Sequence, residues 1–238
     1  VEKIMRKHQV VDHEQWLAAR RQFLAKEKAF THMRDELSRQ RRELPWERVE
    51  KNYLFEGEHG KETLADLFGA HSQLLVYHFM YAPDWDIGCV GCSFWADNFN
   101  GIVEHLAQRD VALVAVSRAP LQKLQQQAKA FGWTFKWVSA IGDEFNDDYN
   151  VSFSPEALAR DEAFYNYGTE KVNGPERPGI SAFIRDDGQV YHSYSTYSRG
   201  VDMFNTAYHY LDIAPKGRDE DELSFPMAWV KHRIAYGH

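Results

Sequence analysis

Leu74-Leu75-Val76-Tyr77-His78-Phe79-Met80 runs into Tyr81-Ala82-Pro83-Asp84-Trp85-Asp86-Ile87-Gly88 and then into Cys89-Val90-Gly91-Cys92. The apolar run has the continuity of a strand buried on both faces. Beyond the cysteines, Phe94, Trp95, Phe99, Val103 and Leu106 carry a helical pattern, and Val111-Ala112-Leu113-Val114-Ala115-Val116 is a second continuous apolar run. Strand, loop, Cys-x-x-Cys, helix and strand in that order predict a βαβ unit with parallel strands and a right-handed crossover.

Downstream, Pro120 suits the first turn of a helix carrying Leu121, Leu124, Ala128 and Phe131, which Gly132 stops; Phe135-Lys136-Trp137-Val138 reads as a further strand. The polar stretch 154–177 has weak periodicity and reads as an insertion or long loop. After Pro178, Gly179-Ile180-Ser181-Ala182-Phe183-Ile184, the turn Asp186-Asp187-Gly188 and Val190-Tyr191-His192-Ser193-Tyr194 predict an antiparallel hairpin, with a helix from about 202 to 211 behind it. Parallel unit, hairpin and closing helix give an α/β protein of thioredoxin-like order, a central mixed sheet with flanking helices.

Upstream, Asp12 with Gln15 forms a capping signal for a long helix closed by Pro45. Trp16, Phe23, Phe30, Leu37 and Leu44 recur every seven residues, with Leu17, Leu24 and Met33 widening the stripe. Such a face packs either on its own subunit or on a second copy, so a homodimer through this helix is an expected partnership. The organisation expected is a helical arm over 1–50, a thioredoxin-like domain over 51–213 interrupted near 154–177, and a peripheral C-terminal extension over 214–238. In that extension Pro215 and the charged run Arg218-Asp219-Glu220-Asp221-Glu222 precede a short helix around Trp229 and Ile234.

Composition bounds the function. With 238 residues, 44% hydrophobic and 14% aromatic, the chain can bury a sizeable core. A net charge of -7 lacks the basic footprint of nucleic-acid binding. Residues 1–51 are mildly basic, with 13 Lys+Arg against 9 Asp+Glu, and the rest is acidic. No apolar run is long enough to span a membrane, and Val1-Glu2-Lys3-Ile4-Met5-Arg6-Lys7-His8 has no secretory core, so a cytoplasmic protein is expected.

Two cysteines three apart close too short a loop to staple a fold, which leaves chemistry, metal or chance to explain them. A thiol at a helix start meets free backbone N–H groups that favour its thiolate, and a second thiol one turn on can resolve the mixed disulfide. Cys89 is thus the candidate attacking thiol and Cys92 the resolving one. Zinc needs two further ligands; there is no second cysteine pair, and His71 and His78 are seven apart, so no metal and no other cofactor is expected. His78 reads as a satisfied core histidine. Asp84 and Asp86 oppose a depressed Cys89 pKa. Tyr81, Trp85, Phe94 and Trp95 offer a docking surface for substrate or pack the core, and Arg118, at the carboxyl end of a parallel strand, is a candidate anion holder. The hydroxyl-rich run Tyr191 to Tyr197 reads as an alternating strand. Protein or small-molecule disulfides and thiols are the expected substrates.

Several segments also carry a resemblance: Trp16-Leu17-Ala18-Ala19-Arg20, Leu44-Pro45-Trp46, Tyr77-His78-Phe79-Met80, Gly88-Cys89, Cys92-Ser93-Phe94-Trp95-Ala96-Asp97, Val116-Ser117-Arg118-Ala119-Pro120, Tyr194-Ser195-Thr196-Tyr197 and Arg199-Gly200. With them the chain resembles a thioredoxin-like family catalogued as a domain of unknown function and labelled a predicted dithiol-disulfide isomerase. The resemblance implies a thioredoxin fold and a redox role. Relatives of that fold place a cis-proline opposite the dithiol, for which Pro178 is the match, with Gly179 as the alternative occupant. Peroxiredoxins are similar around Phe145-Asn146-Asp147-Asp148-Tyr149-Asn150-Val151, but their threonine three residues before the reactive cysteine is replaced by Asp86. A thiol peroxidase and a non-catalytic scaffold module are therefore the alternatives to a thiol-disulfide oxidoreductase or isomerase.

Overall fold

The computed structural model describes residues 9–237; the stretch Val1 to His8, read above as lacking a secretory core, lies outside them. The chain divides into two units, one ending at Pro45 and the other starting at Trp46. The first is helix α1, His13–Arg42. Asp12 caps it, its side chain accepting the Gln15 N–H at 2.8 Å, while Arg39, Arg41 and Arg42 lie in the last turn where cations suit the free carbonyls. Trp16, Phe23, Phe30, Met33, Leu37 and Leu44 are exposed.

The second unit is built on one eight-stranded sheet. In chain order the strands are β1 (Glu47–Arg48), β2 (Leu54–Gly57), β3 (Gly60–Thr63), β4 (Gln73–His78), β5 (Val111–Ser117), β6 (Lys136–Ala140), β7 (Gly179–Asp186) and β8 (Gln189–Tyr197). Their order across the sheet is β1-β8-β7-β4-β5-β6-β2-β3. Strands β4, β5 and β6 are parallel, with Val76 opposite Val114 and Val116 opposite Val138. Strand β7 runs antiparallel to β4 and pairs with β8 through a tight turn in which Asp187 and Gly188 both take positive φ. This is the thioredoxin-like arrangement.

The crossover from β4 to β5 is broken. Helix α2 (Val90–Ala96) and helix α3 (Val103–Ala107) are separate, because Asn98, Asn100 and Gly101 interrupt the pattern that Phe99 continues. Asn100 instead reaches across to Gly132 and Thr134. Helix α4 (Leu121–Phe131) has Pro120 at its N-cap and Gly132 as a left-handed C-cap, and α5 (Glu144–Asp148) follows β6. The stretch 154–177 holds α6 (Pro155–Ala159) and packs Tyr165 and Val172 with Val151 and the β8 residue Tyr197 into a small third core. A 3-10 segment, Ser198–Phe204, and α7 (Thr206–Ile213) occupy the place of the helix expected from about 202 to 211.

Two cores lie on opposite faces of the sheet. Leu74, Val76, Phe55 of β2 and Phe145 of α5 share one; Tyr77, Phe79, Cys92, Trp95, Phe99 and Trp137 share the other. The dithiol thus belongs to the second face. Among the described residues no helix is long and apolar enough to cross a membrane.

Candidate functional site

The loop after β4 turns sharply into α2, and Gly88 is the pivot. A Cβ built on it would lie 2.7 Å from the Phe79 ring and 3.0 Å from Gln127 Oε1, so only glycine fits. Its N–H donates to Gln127 Oε1 at 2.8 Å, and the Cys89 N–H donates to the Met80 carbonyl at 3.0 Å. Cys89 is then the N-cap of α2, half-buried, and Cys92 sits one turn inside, 2% exposed.

Both thiols are free, and they are chemically unequal. Cys89 is lowered to about 7: the Cys92 thiol donates to its sulfur, the backbone N–H groups of Cys92 and Gly91 add to this, and the Arg177 charge helps, all against the effect of burial. The opposing carboxylates do not prevail; Asp84 and Asp86 are exposed to solvent, which screens them. Burial pushes Cys92 well up, assisted by the neighbouring Cys89 sulfur, while the Tyr77 hydroxyl and the Met80 N–H, 3.4 Å away, donate to it. Burial also keeps Tyr77 a phenol.

The other anticipated site residues are placed as follows. Pro178 directly precedes Gly179, which pairs with His78 at the end of β4 beside the dithiol loop, but among the described residues no peptide bond is cis, so the expected cis-proline is corrected to a trans one. Its carbonyl accepts the Tyr165 hydroxyl at 2.8 Å. Tyr81 is not a docking residue: it is buried, packs toward Trp137 and donates to the Asp86 carbonyl at 2.9 Å. Trp85 is half-buried against the same core. Arg118 is not available to an anion either, because it bonds Glu176 at 2.6 Å and Asp143 at 2.7 Å, and Glu176, buried at 2% exposure, also accepts from Ser152. Phe94 and Trp95 pack edge-on at 5.7 Å.

His78 is a core histidine but only half satisfied, since its Nδ1 has no partner: its Nε2 lies 2.8 Å from Ser181 Oγ, which lies 2.8 Å from Ser195 Oγ, itself 2.7 Å from His192 Nε2. The hydroxyl-rich strand β8 thus supplies a buried chain on the face away from the cysteines. Among the described residues no three His, Cys, Asp or Glu side chains gather as a metal site.

Four contributors escaped sequence reasoning. Tyr77 and Gln127 read as ordinary strand and helix residues, Arg177 sits at the end of a stretch without period, and Met227 belongs to the C-terminal extension, where the short helix expected around Trp229 and Ile234 is corrected to a 3-10 turn, Arg233–Ala235. Only Arg177, immediately before Pro178, had a local signal.

Residues 5–236 match a family described as bacterial protein of unknown function, DUF899. No curated protein matches. Solved structures similar to the chain include peroxidoxin BcpB from Mycobacterium tuberculosis, 14% identical over 68% of this chain and 93% of that one with a TM-score of 0.45. Xanthomonas campestris peroxiredoxin Q is 17% identical over 65% and 85%, TM-score 0.40, and the mitochondrial 2-Cys peroxiredoxin from Plasmodium falciparum is 14% identical over 70% and 94%, TM-score 0.42.

Proposed function

The chain belongs to this DUF899 family of bacterial proteins of unknown function, and within it we propose that Cys89 and Cys92 perform thiol-disulfide exchange. The observation that carries the reading is the unequal placement of the two thiols: Cys89 is half-buried at the N-cap of a helix, whereas Cys92 is 2% exposed one turn inside with the Met80 N–H toward its sulfur; this placement favours the Cys89 thiolate and disfavours that of Cys92.

In the proposed reaction the Cys89 thiolate attacks one sulfur of a substrate disulfide, forming a Cys89–substrate bond and expelling the other half as a thiolate, which takes a proton from water. Cys92 then attacks Cys89 Sγ, its proton passing to the departing second thiol, and a Cys89–Cys92 bond closes. The substrate gains two electrons and the protein loses them. An external dithiol reductant restores the pair; run backwards, the same steps oxidise a substrate dithiol. Tyr77 and the Met80 N–H are the groups that accompany the buried Cys92 sulfur as it acquires charge.

Alkylation of the reduced protein across a pH series tests the roles. Cys89 alone should react, with half-maximal rate near pH 7. Cys92→Ala, which removes the foremost stabilising donor, should move that midpoint up toward the roughly 8.5 of a free thiol, whereas Cys92→Ser keeps a donor and should hold it down. Cys92→Ser should also accumulate mixed disulfides that Cys89→Ser does not. Equal trapping by both, or a midpoint indifferent to Cys92→Ala, would contradict the assignment.

A further inference from the structure

The C-terminal extension is not peripheral to the dithiol. After α7, Arg218 anchors it to Asp212 at 2.6 Å and Asp202 at 3.1 Å and lies 3.9 Å over the Tyr208 ring. Glu220 then gathers three donors, the Tyr208 hydroxyl at 2.8 Å, the Met227 N–H at 3.1 Å and the Trp229 indole at 2.6 Å.

From there the chain crosses the start of α2. The Met227 methyl presses on Gly91, where a Cβ would come within 2.9 Å of it and 3.6 Å of the Cys89 sulfur. Trp229 packs edge-on against Phe94 at 5.6 Å. His232 lies 3.0 Å from the Gly88 carbonyl and stands perpendicular to Phe131, and Arg233 closes the crossing on Asp97 and the Phe131 carbonyl. The residues on both sides of Cys89 are therefore covered by the tail.

The cover is thin. Among the described residues from 209 onward none is fully buried, and the only regular element after α7 is a 3-10 turn, Arg233–Ala235. Such a segment opens at far lower cost than β4 or β5, which lie in the middle of the sheet. A half-buried Cys89 is within reach of a small reagent with the tail in place, but a folded protein presenting a disulfide needs a flat docking area of several hundred square ångströms, and the tail occupies that ground.

We propose that residues 214–237 form a strap that selects low-molecular-weight disulfides and thiols as the substrates of Cys89 and admits protein disulfides only after it lifts. The inference rests on the thiol-disulfide reading above for the word substrate; the cover itself does not depend on it.

The test compares two maleimides of the same chemistry on the reduced full-length protein, N-ethylmaleimide and one carrying a long polyethylene glycol chain. Trp229→Ala and Glu220→Ala, each checked for a cooperative thermal transition, should raise the bulky reagent's rate at Cys89 relative to the small one's by roughly tenfold, as when a local opening costing about 1.4 kcal/mol is relieved. An unchanged ratio in folded variants would overturn the strap. Amide hydrogen exchange of the unaltered protein is the second reading and needs no variant: residues 214–237 should exchange well before β4 and β5, and equal protection would overturn the proposal. If the ratio shifts while Cys89 and Cys92 never form a disulfide in a thiol redox buffer, the strap stands and the exchange reading falls.

Discussion

The buried chain from His78 to His192 shows how much a single residue's hydrogen count can determine. Three contacts join two imidazole nitrogens and two hydroxyls, and each hydroxyl has one proton to donate, so one of the two Nε2 atoms must carry the third. His78 Nδ1 is buried without a partner, and an orphaned acceptor is less costly than an orphaned N–H. This assigns the proton to His78 Nε2, which donates to Ser181, Ser181 to Ser195, and Ser195 to His192 Nε2, leaving His192 Nδ1–H toward Glu47 at 3.6 Å. Burial, with the nearby His192, lowers His78 from 6.5 to about 3, so the folded protein holds it neutral where the unfolded chain takes up a proton. The depressed value fixes the sign: the stability this histidine confers is complete above about pH 6.5 and is lost as the pH falls toward 3. Between pH 6.5 and 5, above the range of most carboxylates, unfolding free energy should fall by roughly 1 kcal/mol per pH unit, and His78→Gln should flatten that slope. Burial also lowers His192, which keeps part of the slope; a slope that the substitution leaves unchanged would place its origin elsewhere.

At the scale of elements, what was legible in the sequence is what has a local cause. Strands β4, β5 and β6 come from short apolar runs, helix α4 from its periodicity between Pro120 and Gly132, and the β7–β8 hairpin from Asp187-Gly188. The division of α2 from α3 was hidden because Phe99, buried between them, keeps the helical spacing while the asparagines around it break the backbone. Strands β1 to β3 were missed because they have two to four residues each and carry no apolar run: β1 exists only through the distant β8, with Glu47 opposite His192, whereas β2 and β3 form a short local hairpin, Leu54 opposite Thr63, that joins the sheet with Phe55 opposite Ala140. The short helix expected around Trp229 and Ile234 is only a 3-10 turn, because the aromatic side chains of the tail pack on α2 and α4 rather than on one helical face of their own. Helix α1 is the opposite case, read in full from its cap and its stripe. That stripe, with Trp16, Phe23, Phe30 and Leu37 exposed at a seven-residue interval, suits a second copy of itself in a coiled coil. Sedimentation at micromolar concentration should give a species of twice the chain mass, and Phe23→Glu with Phe30→Glu should give the monomer. A monomer from the unaltered chain would show that the stripe serves another contact.

Over the unit from Trp46 onward, the sheet separates two kinds of chemistry. One face holds the neutral histidine and hydroxyl chain, whose role is to settle buried polar groups; the other holds the dithiol, Tyr77 beneath it, Arg177 near its mouth and the tail across it. Of that site, the cysteine pair and its place at a helix start were legible, because Cys-x-x-Cys between a strand and a helix has few readings. Arg177 and the strap were not, since a loop and an aperiodic tail deliver them, and Arg118 was misread because its partner Glu176 lies in the stretch taken for an insertion. The exchange proposed for this site depends on the two sulfurs forming one reversible bond. The most direct measurement is to equilibrate the full chain in a graded series of thiol-disulfide buffers, quench with acid and weigh the products. The account predicts a single two-electron transition between the dithiol and a protein lighter by two hydrogens, with Cys89 and Cys92 both lost to alkylation together. A buffer adduct on Cys89 that persists at every poise, with Cys92 still a free thiol, would contradict it.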